Sequence, residues 1–312
     1  MKDLIILTGP TAVGKTALSI NLAKAVGGEI ISADSMQVYK HMDIGTAKVT
    51  PEEMDGVKHY LIDAINPTED FHVVRFKEMV LSAMDEIYAK GKIPIICGGT
   101  GFYIQAILYD IQFTEQEIDC AYRRSLEKFA EEKGNEALHD KLKEIDPESA
   151  ESIPAANRKR VIRALEYHHQ TGEKISVHNA REKERKSPYN FAYFVLNDDR
   201  KLLYNRIDKR VDIMMESGLL DEVKALMEMG CKAGMTSMDA IGYKELLAYF
   251  SNDISLEDAV ELIKKNSRNY AKRQLTWFRR EKEVVWLDKT ILKSDSEILD
   301  SIMTTLKEKG II

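Results

Sequence analysis

Apolar residues first gather at Leu4-Ile5-Ile6-Leu7, a short unbroken run that ends at Gly9-Pro10. A run of this length without polar alternation predicts a strand covered on both faces, as in a parallel sheet. The spacing turns helical over residues 15–26 and stops near Gly27-Gly28, where glycine suits a helix end. Glu29-Ile30-Ile31-Ser32-Ala33-Asp34 predicts a second strand with a polar end, and His59-Tyr60-Leu61-Ile62 a weaker third. Residues 71–90 have the pattern of a long amphipathic helix closed by Gly91, and Ile93-Pro94-Ile95-Ile96-Cys97 that of another buried strand with Pro94 near its start. Strands alternating with helices imply right-handed crossovers and a parallel sheet.

The texture changes after about residue 112. Residues 115–171 are charged and helical in period, and residues 172–190 are polar with Gly172 and Pro188 as breakers. Phe191-Ala192-Tyr193-Phe194-Val195-Leu196 predicts a strand again, followed by long helices that include roughly 255–281. Val284-Val285-Trp286-Leu287 predicts a last strand before a final helix. The whole reads as one α/β domain interrupted by a helical insertion.

Composition narrows the class. The 312 residues are 44% hydrophobic and 31% charged, enough for a sizeable core and incompatible with general disorder. Only Cys97, Cys120 and Cys231 occur, which excludes a disulfide scaffold and points to a reducing cytosol. No apolar run approaches a membrane span, and the N-terminal apolar stretch is too short for a signal peptide. The net charge of −6 argues against a globally basic nucleic-acid binder but leaves local patches open.

Gly9-Pro10-Thr11-Ala12-Val13-Gly14-Lys15-Thr16 matches G-x-x-x-x-G-K-S/T between a strand and a helix. Its glycines let backbone N–H groups curl around a phosphate, and the following helix aims its positive end at the anion. Lys15 adds a mobile charge and Thr16 a hydroxyl suited to Mg²⁺. The loop predicts a bound di- or triphosphate, either ATP or a prenyl diphosphate. Asp34 ends the second strand, where ligands of parallel sheets gather. It suits a general base or a water-mediated magnesium ligand, and equally the cap of a following helix. Gln37 carries an amide suited to a nucleobase edge. Gly98-Gly99-Thr100-Gly101-Phe102-Tyr103 lets backbone approach something closely, with Thr100 either facing the crevice or simply capping a helix.

Basic residues cluster at Arg158, Lys159, Arg160 and Arg163, with Arg123 and Arg124 in the same insertion. A second cluster is Arg268, Lys272, Arg273, Arg279 and Arg280, interleaved with Tyr270, Trp277 and Phe278. Such mixtures suit folded RNA, although charged helical faces are more often merely solvated. Arg206 and Arg210 could reach a diphosphate, or pair with Asp208 and Asp212. The His and Cys residues show no metal-ligand spacing. On these residues an ATP-dependent small-molecule kinase, a group transferase and a nucleotide-switched RNA-binding module all remain open.

The ordered motifs narrow this further. Gly9 through Thr16, Ser32-Ala33-Asp34-Ser35-Met36-Gln37-Val38-Tyr39, Asp43-Ile44-Gly45-Thr46-Ala47-Lys48 and Gly98 through Tyr103 resemble the tRNA dimethylallyltransferase family, in its bacterial form. Arg160-Val161-Ile162-Arg163-Ala164-Leu165-Glu166, Ala240-Ile241-Gly242-Tyr243-Lys244-Glu245 and Ala271 through Arg279 match it as well. The resemblance implies an α/β fold: a P-loop NTPase-like parallel sheet flanked by helices, with an inserted all-helical domain. Residues 1–112 and 190–312 would form the core and 113–189 the insertion.

It also implies transfer of a dimethylallyl group from its diphosphate to N6 of the adenosine 3′ of a tRNA anticodon. The implied enzyme is cytoplasmic and monomeric and uses Mg²⁺. By the same resemblance Asp34 is the general base, with Lys15 and Thr100 as further catalytic groups. Gly9, Pro10, Thr11, Ala12, Val13, Gly14, Lys15 and Thr16 hold the diphosphate with Arg210, and Thr16 the magnesium. Asp34, Ser35, Met36, Gln37, Thr100, Arg123, Lys159, Arg160, Val161, Ile162 and Arg163 contact tRNA. One departure stands before that last segment: Ala156-Asn157, where the family often has Asn-Asp or Asn-Asn.

Overall fold

The computed structural model describes residues 1–113 and 120–312. It divides into two units, Met1–Leu108 with Pro188–Ile312, and Tyr109–Ser187. The first unit begins with β1 (Lys2–Thr8), α1 (Lys15–Val26), β2 (Glu29–Ala33), the single turn α2 (Pro51–Met54) and β3 (His59–Tyr60). It continues through α3 (Val73–Ala89), β4 (Pro94–Gly98) and α4 (Gly101–Leu108). The second unit holds α5 (Cys120–Ile145), α6 (Pro147–Ser152), α7 (Arg158–Thr171) and α8 (Ile175–Lys183). The chain returns to the first unit with β5 (Tyr189–Asn197), α9 (Arg200–Glu216), α10 (Leu219–Glu228), α11 (Tyr243–Phe250), α12 (Leu256–Phe278), β6 (Val284–Asp288) and α13 (Asp295–Glu308).

The strands form one parallel sheet in the order β3-β2-β4-β1-β5-β6. Ile5 on the central strand lies between Ile95 and Ala192. Leu4, Ile5, Ile6 and Leu7 are all 0% exposed, and each such burial contributes roughly 1.5–3 kcal/mol. On one face α1 and α13 cover the sheet, with Leu22, Ile302 and Leu306 packing into the cluster that includes Ile5 and Phe194. Because every strand points the same way, the turns after Thr8, Ala33, Gly98, Asn197 and Asp288 share one edge. That edge is where a parallel sheet places its ligands.

Glu29 ties the opposite edge. It is 4% exposed and accepts Lys92 Nζ at 2.8 Å, the Tyr60 hydroxyl at 2.7 Å and Lys90 Nζ at 3.1 Å. Burial alone would raise its carboxyl, yet Lys92, Tyr60 and Lys90 hold it down to about 2.

The inserted unit has its own core of Leu126, Leu138, Leu142, Val161 and Leu165, between α5 and α7. Its α5 bends at Gly134, whose φ of 88° lies outside helical backbone. Residues 175–183 form α8 inside the segment that the sequence marks as polar and broken. The cause is tertiary. Asp146, 1% exposed, caps α6 through Ser149 N–H and also accepts Ser176 N–H at 3.0 Å and Ser176 Oγ at 2.7 Å.

Candidate active site

The phosphate loop leaves β1 and enters α1 through Gly14, whose φ of 100° is left-handed and which supplies no side-chain cap. The first N–H groups of α1 are therefore open to an anion. Lys15 Nζ folds back on the loop, donating to Gly9 O at 3.0 Å and Pro10 O at 2.8 Å. Burial lowers its ammonium to about 8, against the opposing pull of Cys97 and Asp34 and with a smaller contribution from Arg210. Thr16 follows with an exposed side chain in the first turn of α1.

Beside the loop lies a cavity of about 310 Å³. Thr11, Asp34, Ser35 and Met36 line it from the sheet edge, and Gly45, Thr46 and Ala47 from the next loop. Arg210, Lys244, Tyr270 and Arg273 bring polar groups from the helical side. Ile207, Val211, Met214, Ile241 and Ile263 form an apolar wall. One space thus combines cations, the acidic residues Asp34 and Asp239 and a hydrocarbon surface.

Each expected residue has a definite place. Asp34 Oδ1 accepts the N–H groups of Met36 at 2.8 Å and Gln37 at 3.3 Å. It caps a turn rather than a helix, and its carboxylate still lines the cavity. Gln37 is not among the lining residues; its amide nitrogen donates to Thr46 O and Ala47 O, each at 3.2 Å. Its two N–H bonds therefore shape the neighbouring loop and are not turned toward a base. Arg206 pairs with Asp198, Asp208 with Arg268, and Asp212 with Lys264. Of the two alternatives for Arg206 and Arg210, the pairing with Asp208 and Asp212 is not seen among the described residues, and Arg210 lines the cavity. Its guanidinium lies near Asp34, and burial lowers its pKa.

Thr100 Oγ1 is buried without a hydrogen bond of good geometry, and its polar neighbour is the Tyr270 hydroxyl. A buried hydroxyl left in this state marks a place for a ligand atom or water. The glycines around Thr100 do allow a close approach, but the approaching group is the chain's own α12. A Cβ on Gly99 would lie 2.0 Å from Gln274 Nε2, and one on Gly101 2.2 Å from the Trp277 ring. Lys272, Arg273, Thr276, Trp277 and Arg280 line a groove on α12, and Arg273 lines the cavity as well. Sequence reading noted this basic and aromatic cluster without assigning it to the site. The helical spacing that puts Arg273 on one face with Thr276, Trp277 and Arg280 was the available signal.

In the inserted unit, Lys159, Arg160 and Arg163 are exposed on α7. Val161 and Ile162, expected to contact tRNA, are core residues at 0% and 5% exposure. Helical geometry turns them away from the basic face. Arg123 forks onto Glu166 at 2.7 and 2.8 Å. Asn157, at the point of departure from the family pattern, is the N-cap of α7 and accepts Arg160 N–H.

Among the described residues no group of three His, Cys, Asp or Glu side chains converges as a metal site, and no helix is long and apolar enough to cross a membrane. The exposed Thr16 hydroxyl and the Asp34 carboxylate are hard oxygen donors of the kind magnesium accepts beside phosphate.

Residues 37–281 match the family model described as IPP transferase. The tRNA dimethylallyltransferase of Lachnoclostridium phytofermentans is 57% identical over 312 residues, covering 100% of both chains. The crystal structure of the full-length tRNA isopentenylpyrophosphate transferase from Bacillus halodurans superposes with a TM-score of 0.75 at 45% identity, over 99% of this chain and 98% of that one. A eukaryotic dimethylallyltransferase acting on tRNA gives a TM-score of 0.84 at 30% identity, over 100% of this chain and 80% of that chain. A phosphate loop, a carboxylate beside it and an apolar pocket, on a fold shared over essentially the whole length, leave one assignment: the chain belongs to the IPP transferase family.

Proposed function

We propose that this chain transfers the dimethylallyl group of dimethylallyl diphosphate to N6 of the adenosine 3′ of a tRNA anticodon, giving N6-isopentenyladenosine. The observation that carries the reading is the mixed lining of the cavity. Arg210 and Asp34 share it with Ile207, Val211, Met214, Ile241 and Ile263. The apolar side chains suit a five-carbon hydrocarbon better than a nucleoside, which favours a prenyl donor over ATP.

In this reading the diphosphate occupies the phosphate loop as leaving group. Lys15, Arg210 and the N–H groups opening α1 take up the negative charge that grows as the C–O bond breaks. The allylic carbon bonds to N6, pyrophosphate departs, and the N6 proton passes to the Asp34 carboxylate. The adenine must leave its stack for N6 to reach that carboxylate. Thr100 Oγ1, buried and lacking a well-formed bond, is available to hold a reacting atom in line. Magnesium would add further charge neutralisation on the diphosphate, and Thr16 would hold it, leaving the Asp34 carboxylate free to act as the base. Lys159, Arg160 and Arg163 offer the inserted unit's cations to the RNA backbone. The enzyme works in this scheme as a cytosolic monomer.

The test is incubation with an anticodon stem-loop and dimethylallyl diphosphate, without ATP, followed by nucleoside mass analysis. A five-carbon adduct on adenosine is expected. Tight ATP capture with no adduct would overturn the reading.

A further inference from the structure

We infer that Glu222 is a positioning residue for transfer, setting the 43–47 loop and, through Gln37, the turn that carries Asp34. The inference rests on the transfer reading above. Glu222 lies in the first turn of α10. Its Oε2 accepts the N–H groups of Asp43 and Ile44, both at 2.7 Å. Its Oε1 accepts Gly45 N–H at 3.1 Å and the Tyr243 hydroxyl at 2.6 Å. Successive N–H groups converging on one anion form a nest, and hydrogen bonds to a carboxylate are about twice as strong as neutral ones.

The clamp is built tightly. Tyr243 is 0% exposed, and burial, reinforced by Glu222, pushes its phenol far above the ordinary range, so it stays a donor. A Cβ on Gly45 would lie 2.6 Å from the Tyr243 ring, which leaves no room for a side chain there.

From the clamp a path that alternates covalent backbone with hydrogen bonds leads to the reacting carboxylate. The next two carbonyls of the loop, Thr46 O and Ala47 O, receive the Gln37 amide. Gln37 N–H in turn is held by Asp34 Oδ1. Gly45, Thr46, Ala47 and Asp34 line the same cavity, while Glu222 does not. Glu222 thus acts on the site only through the loop it holds.

Glu222→Gln and Glu222→Ala separate this role from general support of the fold. Glutamine keeps an acceptor for two of the N–H groups but turns a donor toward Gly45, so it should be intermediate. In Glu222→Ala, kcat with stem-loop and dimethylallyl diphosphate should fall about ten-fold or more, while KM for the diphosphate stays within about two-fold. Affinity for inorganic pyrophosphate should also stay within about two-fold, because the phosphate loop is untouched. Amide hydrogen exchange at residues 36–37 should rise along with that at 43–45, leaving residues 12–16 at the parent rate. An unchanged kcat, unchanged exchange at 36–37, or pyrophosphate affinity lost in step with kcat would each overturn the inference. A parent chain that makes no adduct would sink the transfer reading alone, since the exchange comparison still decides whether the clamp controls the Asp34 turn.

Discussion

Gln274 holds Thr11 and Gly99 together with a single buried amide: Oε1 accepts Thr11 N–H at 2.9 Å and Nε2 donates to Gly99 O at 3.0 Å. One bond fixes the phosphate loop and the other fixes the turn that carries Thr100, so the leaving-group seat and the acceptor side share a common brace. Gln274→Glu keeps the acceptor for Thr11 but sets a carboxylate oxygen against Gly99 O at a site only 5% exposed. We expect it to cost about 2–3 kcal/mol in denaturant unfolding. We also expect a fall of about ten- to a hundred-fold in kcat/KM, from misplacement of the two halves of the site. Parent-like values of both in Gln274→Glu and in the shape-conserving Gln274→Met would show that the brace is dispensable.

The sheet was legible because each central strand announces itself. Leu4–Leu7 and Phe191–Leu196 are apolar runs too short for helices, and they lie side by side in the structure. Helix α1 starts and stops at Lys15 and Val26, where the glycines on either side direct it. Helix α8 was not legible, because its stability comes from Asp146, distant in sequence and invisible to local pattern. The same limit applies to the candidate site. Position alone put Asp34 and Thr100 at the sheet edge, but the role of Gln37 depends on carbonyls contributed by residues 46 and 47. Val161 and Ile162 were grouped with their basic neighbours as a contiguous segment, whereas a helix sorts residues by angle.

Asp34 combines two tasks that one substitution can separate. Its Oδ1 holds the turn through Met36 and Gln37 N–H, and an asparagine carbonyl would do the same. Asp34→Asn should therefore leave stem-loop affinity within a few-fold and keep the thermal midpoint, yet lower turnover by about 10²–10⁴. Rapid-quench assay of nucleoside adduct, with binding measured in parallel, checks this. Turnover near the parent value would remove Asp34 as the base.

Arg160 and Arg163 present exposed guanidinium groups on α7, while Ile162 between them is core. Reversing both charges with Arg160→Glu and Arg163→Glu should weaken stem-loop binding and flatten its dependence on salt, lowering the slope of log K against log salt by about 1–2. Ile162→Ala should do the opposite. It should destabilise the helical unit by about 2–5 kcal/mol and leave the slope of the remaining folded chain unchanged. Filter binding over a salt series distinguishes the two, and an unchanged slope in the reversed variant would take both arginines out of the RNA interface.

Lys15 gives the loop a pH dependence whose sign can be fixed in advance. With its ammonium lowered to about 8 by burial, the free enzyme carries the charge below that pH and loses it above. An anion in the loop binds the charged form, so pyrophosphate affinity should fall as pH rises from about 7 to 9, approaching ten-fold per unit at the upper end. Binding near pH 8 should take up a proton, seen as a buffer-dependent heat in calorimetry. Lys15→Arg keeps its charge across this window. The ratio of its affinity to the parent's should therefore climb with pH, and the ionisation of pyrophosphate itself cancels in that ratio. The same depression makes the Lys15 contribution to stability rise between about 8 and 10.5, because the unfolded chain binds the proton more tightly there. A ratio that stays flat from pH 7 to 9 would place the titrating group elsewhere and return Lys15 to an ordinary, permanently charged lysine.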